Sequence, residues 1–127
     1  MVEKYSGTYS GKVVKGLQNG RKFGFPTANI LLDDLTSVPE KGVYAVYVFL
    51  SDQRYGGMLY VGTRPTLYMQ ELSVEINIFG FSGLLYGQTL RFTIVKKIRD
   101  DRKFDSVDQL IEQIKKDQYE AHTLLDV

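Results

Sequence analysis

Short stretches in which apolar and polar residues alternate make up most of the chain, and Gly, Pro, Asp and Ser residues separate them. Alternation with a period of two places successive side chains on opposite faces of an extended strand, and the separating residues favour turns. The pattern predicts six short strands, at residues 9–15, 29–32, 43–50, 58–62, 72–79 and 89–98.

The alternation is clearest at residues 72–79, where Leu72, Val74, Ile76 and Ile78 share one face. This pattern is typical of a half-buried strand, whose opposite face carries Ser73, Glu75, Asn77 and Phe79. The segment 89–98 alternates in the same way at Leu90, Phe92 and Ile94. We therefore expect it to pair antiparallel with the preceding strand.

The last part of the chain changes to a helical period. Ser106 and Gln109 have the spacing of a helix capping box, and the apolar residues that follow form one stripe: Val107, Leu110, Ile111, Ile114, Ala121, Leu124 and Leu125. The sequence thus predicts a mainly β fold, a closed or nearly closed antiparallel barrel capped by a terminal helix, because closure removes exposed strand edges.

Composition narrows the possible chemistry. The 127 residues fit one domain spanning 1–127, and they include no cysteine and a single histidine, His122. This excludes thiolate chemistry and His-rich metal sites but leaves an oxygen-ligated cation open. The net charge of +1 argues against nucleic acid as a partner, and no apolar run is long enough to span a membrane. A cytoplasmic monomer is the expectation.

The densest run of turn-forming residues lies between the first two predicted strands. It holds three glycines, two cations and a proline, namely Gly16, Gly20, Arg21, Lys22, Gly24 and Pro26. Glycine-rich loops bind phosphates because their backbone N–H groups are exposed, and adjacent cations add charge. An ordinary long connection has a similar composition. Neither a Walker A pattern nor G-x-G-x-x-G occurs, so the residues leave both interpretations open.

Thr27 and Asn29 follow this run at alternate positions. In an extended conformation both side chains point the same way and offer oxygen atoms to one cation. Mg²⁺ prefers oxygen ligands and completes its shell with waters and substrate phosphates, so two neutral donors are sufficient beside a nucleotide. A turn stabilised by these side chains is the alternative.

Glu75 lies in the middle of a predicted strand, where acidic residues are depleted. A carboxylate at the rim of a cavity can accept a proton from an alcohol as that alcohol attacks phosphorus. A solvated strand face would explain the same residue without chemistry. The sequence pattern alone does not decide between the two.

Together these segments resemble the riboflavin kinase family, including the kinase domain at the carboxyl end of bacterial bifunctional FAD synthetases. The resemblance runs nearly end to end, and its most specific part is the G-R-x-x-G-F-P-T-A-N stretch at residues 20–29. It continues through K-G-V-Y at 41–44, G-T-R-P-T at 62–66, V-E-I at 74–76, L-Y-G at 85–87, and the segment from 99 into the terminal helix.

The resemblance implies a six-stranded Greek-key barrel that transfers the γ-phosphate of ATP to the ribityl 5′-hydroxyl of riboflavin, giving FMN and ADP with Mg²⁺ or another divalent cation. Thr27 and Asn29 would hold the metal, and Glu75 would be the general base. The ATP site would comprise Gly16, Gly20, Arg21, Lys22, Gly24, Pro26, Thr27, Asn29 and Tyr86. The flavin site would comprise Glu75, Arg99, Lys103 and Phe104.

The sequence departs from the common bacterial pattern of the family at four positions. Tyr60 stands where Asn is common, Asn77 where His is frequent, Gly80 where an acidic residue is common, and Asp101 where Glu is usual. A flavin-binding or regulatory module that keeps the barrel without turnover is therefore the alternative to an enzyme. It would bind flavin without ATP-dependent formation of FMN.

Overall fold

The computed structural model describes residues 7–14, 27–65, 67, 70–81, 83 and 85–127. Within these residues six antiparallel strands form a closed barrel, and a helix follows them. The elements are β1 (Gly7–Val14), β2 (Ala28–Leu32), β3 (Gly42–Leu50), β4 (Gln53–Pro65), β5 (Gln70–Ile78), β6 (Thr89–Asp100) and α1 (Val107–Leu125). A short 3-10 turn at Leu35–Ser37 lies between β2 and β3. The predicted mainly β barrel with a terminal helix is confirmed.

The strands follow one another around the barrel in the order β1-β2-β5-β4-β3-β6, with β6 closing against β1. The predicted pairing of segment 89–98 with segment 72–79 is wrong, because β6 pairs with β1 and β3 while β5 lies between β2 and β4. Alternation shows which side of a strand faces the core, but it carries no information about the partner strand. The connection from β5 to β6 is long enough to reach the position between β1 and β3 on another side of the barrel.

Alternate residues of all six strands fill the barrel interior, as their period of two requires. The largest fully buried apolar side chains include Phe92, Leu59, Ile76, Leu90 and Val46. Burial of each such side chain contributes roughly 1.5–3 kcal/mol. This core fixes which residues face inward, and it thereby fixes which ones the barrel wall presents outward.

Helix α1 lies against the outer wall formed by β3, β4 and β6. A second apolar cluster forms there between Ala45 of β3 and Ala121 and Leu125 of the helix. The predicted stripe is wrong at Val107, which is 52% exposed, and it omits Asp117, which is 2% exposed. The helix therefore buries a carboxylate on its apolar side.

The outer face of β5 is covered as well. The predicted inward face of this half-buried strand is confirmed at Val74 and Ile76, but it is wrong at Leu72, which is 40% exposed, and Ser73 and Asn77 on the other face are buried. Leu110 and Ile114 of α1 and residues of segment 101–104 line a cleft together with Asn77 of this face. Polar residues on a strand do not reveal that another element covers them.

The predicted helix start at Ser106 is confirmed, since the Gln109 backbone N–H donates to the Ser106 hydroxyl oxygen over 3.2 Å. We expect Ser106→Ala to lower the free energy of unfolding by about 1 kcal/mol because one helix N–H loses its acceptor. Urea denaturation measures the difference. Ser106→Thr keeps the capping oxygen and should remain close to wild type; equal losses in both variants would contradict a capping role.

Candidate active site

One residue from each strand forms a continuous row around the outer wall of the barrel. The register aligns them in the order Arg99, Val43, Tyr60, Glu75, Asn29 and Val14. Residues directly opposite each other in antiparallel strands project from the same face of the sheet. Asn29, Glu75 and Arg99, which are far apart in sequence, therefore lie along one strip of the wall.

A cleft of about 360 Å³ runs along this strip, between the barrel wall, segment 101–104 and the first half of α1. Its polar lining includes Thr27, Tyr60, Glu75, Arg99 and Asp117, and its apolar lining includes Val43, Met58, Phe104, Leu110 and Ile114. The volume falls within the range of small-molecule sites, which are mostly apolar with a few placed polar groups. A flat aromatic ligand with a polar tail matches this division.

Two hydroxyl groups hold the Glu75 carboxylate. Thr27 Oγ1 donates to Glu75 Oε1 over 3.0 Å, and Ser73 Oγ donates to Glu75 Oε2 over 3.3 Å. Asn29 is buried directly across from Glu75 in the β2–β5 register. A hydroxyl and a carboxylate thus meet at one end of the cleft, and the Asn29 amide is buried beside them without lining the cleft. Thr27 is the donor in its bond, so the lone pairs of its oxygen can still bind a cation.

These groups fit a cation that arrives with its substrate. Among the described residues no three His, Cys, Asp or Glu side chains cluster closely enough to hold a metal ion. Thr27 and Asn29 instead offer two neutral oxygen donors beside the single carboxylate of Glu75. Mg²⁺ commonly binds through few protein oxygens, several waters and the phosphates of a nucleotide. The donor set suits that mode of binding.

A buried ion pair connects β6 to the helix beside the cleft. Arg99 Nε lies 3.0 and 2.9 Å from the two carboxylate oxygens of Asp117, and Gln113 Nε2 donates to the same carboxylate over 2.9 Å. Arg99 Nη1 also donates to the Asp100 carbonyl over 3.1 Å. The sequence prediction missed Asp117, although its position three residues after Ile114 places it on the apolar stripe.

Tyr60 connects the wall to segment 101–104. Its hydroxyl donates to Asp101 Oδ1 over 3.3 Å. Burial, followed by the neighbouring carboxylates of Asp101 and Glu75, raises the pKa of Tyr60 to about 12, although Arg99 opposes the shift. The folded chain therefore holds this proton more tightly than the unfolded chain, so the associated stability is present below pH 10 and is lost as pH rises through 12. The phenol is a neutral donor at physiological pH.

The remaining predicted site residues have different positions. Phe104 lines the cleft, with the guanidinium carbons of Arg102 and Arg99 at 4.6 and 5.6 Å from its ring centre. Lys103 is exposed and does not line the cleft. Tyr86 also lies outside the cleft lining. Gly16, Gly20, Arg21, Lys22, Gly24 and Pro26 are outside the residues that the structure describes.

The turn that carries Tyr86 is attached to the end of β1. The Gly87 N–H donates to the Val13 carbonyl, and the Val13 N–H donates to the Gln88 carbonyl, each over 2.8 Å. Tyr86 is 37% exposed on this turn. The turn therefore lies next to the point from which the glycine-rich run departs, on the β1 side of Asn29.

No helix in the part of the chain that the structure describes is both long enough and apolar enough to cross a membrane.

Proteins of known sequence that resemble the chain include two from Bacillus subtilis. Its bifunctional riboflavin kinase/FMN adenylyltransferase is 40% identical over 114 residues, which are 87% of this chain and 36% of that protein. Its RNA-binding riboflavin kinase RibR is 42% identical over 109 residues, which are 85% of this chain and 46% of RibR. The chain spans less than half the length of either relative.

Solved structures share the barrel. A chain described as a macrolide-efflux protein from Streptococcus pneumoniae superposes with a TM-score of 0.80 at 44% identity, covering 88% of this chain and 37% of that one. Riboflavin kinase from Trypanosoma brucei superposes with a TM-score of 0.61 at 26% identity, covering 94% and 79%. The family model for flavokinase, or riboflavin kinase, matches residues 3–125. Because that match takes in almost the whole sequence, the chain belongs to the riboflavin kinase family.

Proposed function

We propose that the chain transfers the γ-phosphate of ATP to the 5′-hydroxyl of riboflavin, releasing FMN and ADP. The observation that supports this most directly is the hydrogen bond between Thr27 and Glu75 at the polar end of a cleft large enough for a flavin, with Asn29 directly across from Glu75 in the register. Family membership supports the same reaction. The apolar lining further along the cleft is suited to the flavin ring, which would direct the ribityl chain toward Glu75.

Glu75 would act as the general base. Its carboxylate takes the proton of the ribityl hydroxyl as that oxygen attacks the γ-phosphorus, while the bond from the γ-phosphorus to the bridging oxygen breaks and ADP leaves. The hydroxyls of Thr27 and Ser73 hold the two carboxylate oxygens in place before substrate arrives. Such positioning matters because phosphoryl transfer depends mainly on orientation and charge neutralisation.

Thr27 and Asn29 would hold Mg²⁺ or another divalent cation through their side-chain oxygens. When bound, the cation would neutralise charge on the ATP phosphates. The predicted phosphate contacts of Gly16, Gly20, Arg21, Lys22, Gly24 and Pro26, and those of Tyr86, remain part of this proposal, as does the flavin contact of Lys103. Arg99 and Phe104 line the cleft, which supports their proposed contact with the flavin.

The purified chain should convert riboflavin to FMN when ATP and Mg²⁺ are both supplied. Chromatographic separation of the two flavins measures the product, and a parallel reaction with a chelator should give none. Riboflavin binding without FMN in the complete mixture would contradict the proposal and favour the non-catalytic flavin module.

A further inference from the structure

Tyr60 occupies the centre of the row on the barrel wall. Glu75 is its direct neighbour on one side, and Val43 followed by Arg99 lies on the other. Its side chain lines the cleft, so a ligand that extends from Arg99 to Glu75 must pass over it. The roles proposed so far for the phosphoryl transfer leave this residue unused.

The backbone beside Tyr60 leaves room for its ring. Gly62 lies two residues further along β4 on the same outward face, and a Cβ at that position would overlap the Tyr60 hydroxyl. The ring therefore lies over Gly62, and from there its hydroxyl reaches Asp101. Any side chain at position 62 would displace the phenol.

Segment 101–104 forms one wall of the cleft without regular secondary structure. Asp101, Arg102 and Phe104 all line the cleft. One end of the segment is fixed by Arg99, which binds Asp117 and the Asp100 carbonyl. The other end enters helix α1.

Beyond the segment, the Asp105 N–H donates to Gln109 Oε1 and Ser106 caps the helix. Between these two anchors, the Tyr60 hydroxyl supplies a side-chain hydrogen bond from the barrel wall to Asp101. The Tyr60 hydroxyl thus holds the first residue of the segment, next to the anchor at Arg99, and the helix cap holds the other end.

We infer that Tyr60 is a positioning residue for flavin binding, which holds segment 101–104 across the cleft through Asp101. This inference rests on the proposed function, because it names the flavin as the ligand under the segment. The bond fixes the wall that carries Arg102 and Phe104 before the flavin arrives. Groups that are already in place lose less conformational freedom on binding, so preorganisation favours affinity. Tyr60 takes part in no bond that forms or breaks.

The hydrogen bond stays intact across the working pH range. The phenol keeps its proton until about pH 12, so it remains a donor to the Asp101 carboxylate. Glu75 acts on the same phenol from the neighbouring strand β5, Arg99 from β6 beyond Val43, and Asp101 from the segment. The contribution of Tyr60 to flavin affinity should therefore not vary between pH 6 and 9.

Removal of the hydroxyl by Tyr60→Phe should weaken riboflavin binding about 3- to 10-fold, the range that corresponds to one hydrogen bond. Quenching of flavin fluorescence gives the Kd, and the loss should arise from faster dissociation. The KM for riboflavin should rise by a similar factor, while phosphoryl transfer within the bound complex in a single turnover should stay near the wild-type rate. A merely structural role of Tyr60 would not raise the Kd and KM for riboflavin while leaving the single-turnover rate unchanged.

Asp101→Ala should produce the same loss, and Tyr60→Phe combined with Asp101→Ala should bind riboflavin no more weakly than either single variant. Asp101→Asn keeps an acceptor oxygen and should retain most of the affinity. Tyr119→Phe, on the exposed face of α1, is the matched control and should behave as wild type. Thermal unfolding checks that each variant is folded.

If the wild-type chain forms FMN, two results would overturn this inference without affecting the proposed function. One is an unchanged Kd for riboflavin in Tyr60→Phe, and the other is additive losses of affinity in the double variant. A wild-type chain that binds no riboflavin would instead overturn the proposed function together with this inference. An effect confined to single-turnover phosphoryl transfer would also contradict positioning, since it would place Tyr60 at the reacting atoms.

Discussion

Replacement of Glu75 by Gln is expected to lower kcat for FMN formation by about 10²–10⁴-fold, the usual contribution of a general base. The amide is nearly the same size, and its oxygen can still accept a hydrogen bond from Thr27 while its NH2 group donates to the Ser73 hydroxyl oxygen, but it cannot take the proton of the ribityl hydroxyl. Steady-state assays of FMN formation with saturating ATP and Mg²⁺ measure the change. Riboflavin affinity should stay within a few-fold of wild type.

The matched control for this variant is Glu112→Gln, which makes the same change on the exposed side of α1 and should leave kcat unaltered. A Glu75→Gln variant that turns over at nearly the wild-type rate would remove Glu75 from the proposed mechanism. A parallel loss of flavin affinity would show instead that the carboxylate serves mainly in binding.

Replacement of Asp117 by Ala is expected to lower the free energy of unfolding by about 3 kcal/mol, the low end of the range for a broken buried ion pair, because it leaves the largely buried guanidinium of Arg99, which is 17% exposed, without its carboxylate. That loss is a large fraction of the roughly 5–15 kcal/mol that stabilises a typical domain. Urea denaturation of the wild type and the variant measures it. Flavin binding should weaken too, since Arg99 lines the cleft.

A double variant distinguishes the loss of a partner from the loss of packing. Arg99→Met with Asp117→Leu removes both charges and keeps apolar volume, so it should recover most of the stability lost in Asp117→Ala. An unfolding free energy in Asp117→Ala within about 1 kcal/mol of wild type would contradict the assigned role of the ion pair. So would a double variant as unstable as Asp117→Ala.

Much of the barrel could be predicted from the sequence because alternation identifies the inward face of each strand. The pattern at Val74 and Ile76 placed these residues in the core and directed Glu75 outward, as the structure shows. The helix start at Ser106 could be predicted equally well, because a capping side chain binds a backbone N–H only three residues away. These features depend on residues close together in the chain.

Features that depend on distant contacts could not be predicted in the same way. Strand β4 begins at Gln53, although its predicted start is residue 58. The prediction began too late because Gly56 and Gly57 weaken the strand pattern in the sequence. In the structure both glycines pair with β3 in the β3–β4 hairpin. Asp117 is charged and was left out of the predicted apolar stripe, but Arg99 of β6 supplies it with a partner in the folded chain. The partner, and not the residue itself, determined its burial.

The candidate site likewise combines residues that the sequence could identify with contacts that it could not predict. Family motifs singled out Thr27, Asn29 and Glu75, and the register brings all three together. Tyr60 and Asp101 were noticed only as departures from the common family pattern. Their contact follows from the path of segment 101–104 and from the space above Gly62, neither of which is visible in a linear sequence.

The seam between β2 and β5 gives the site a mechanical role in the barrel. Among the described residues these strands are in register only at Ala28↔Ile76 and Asn29↔Glu75, whereas β3 and β4 pair along their full common length. A substrate complex that contacted both Asn29 and Glu75 would bridge the two strands with the fewest register pairs among the described residues. Its binding would then stabilise the closed barrel against opening between β2 and β5.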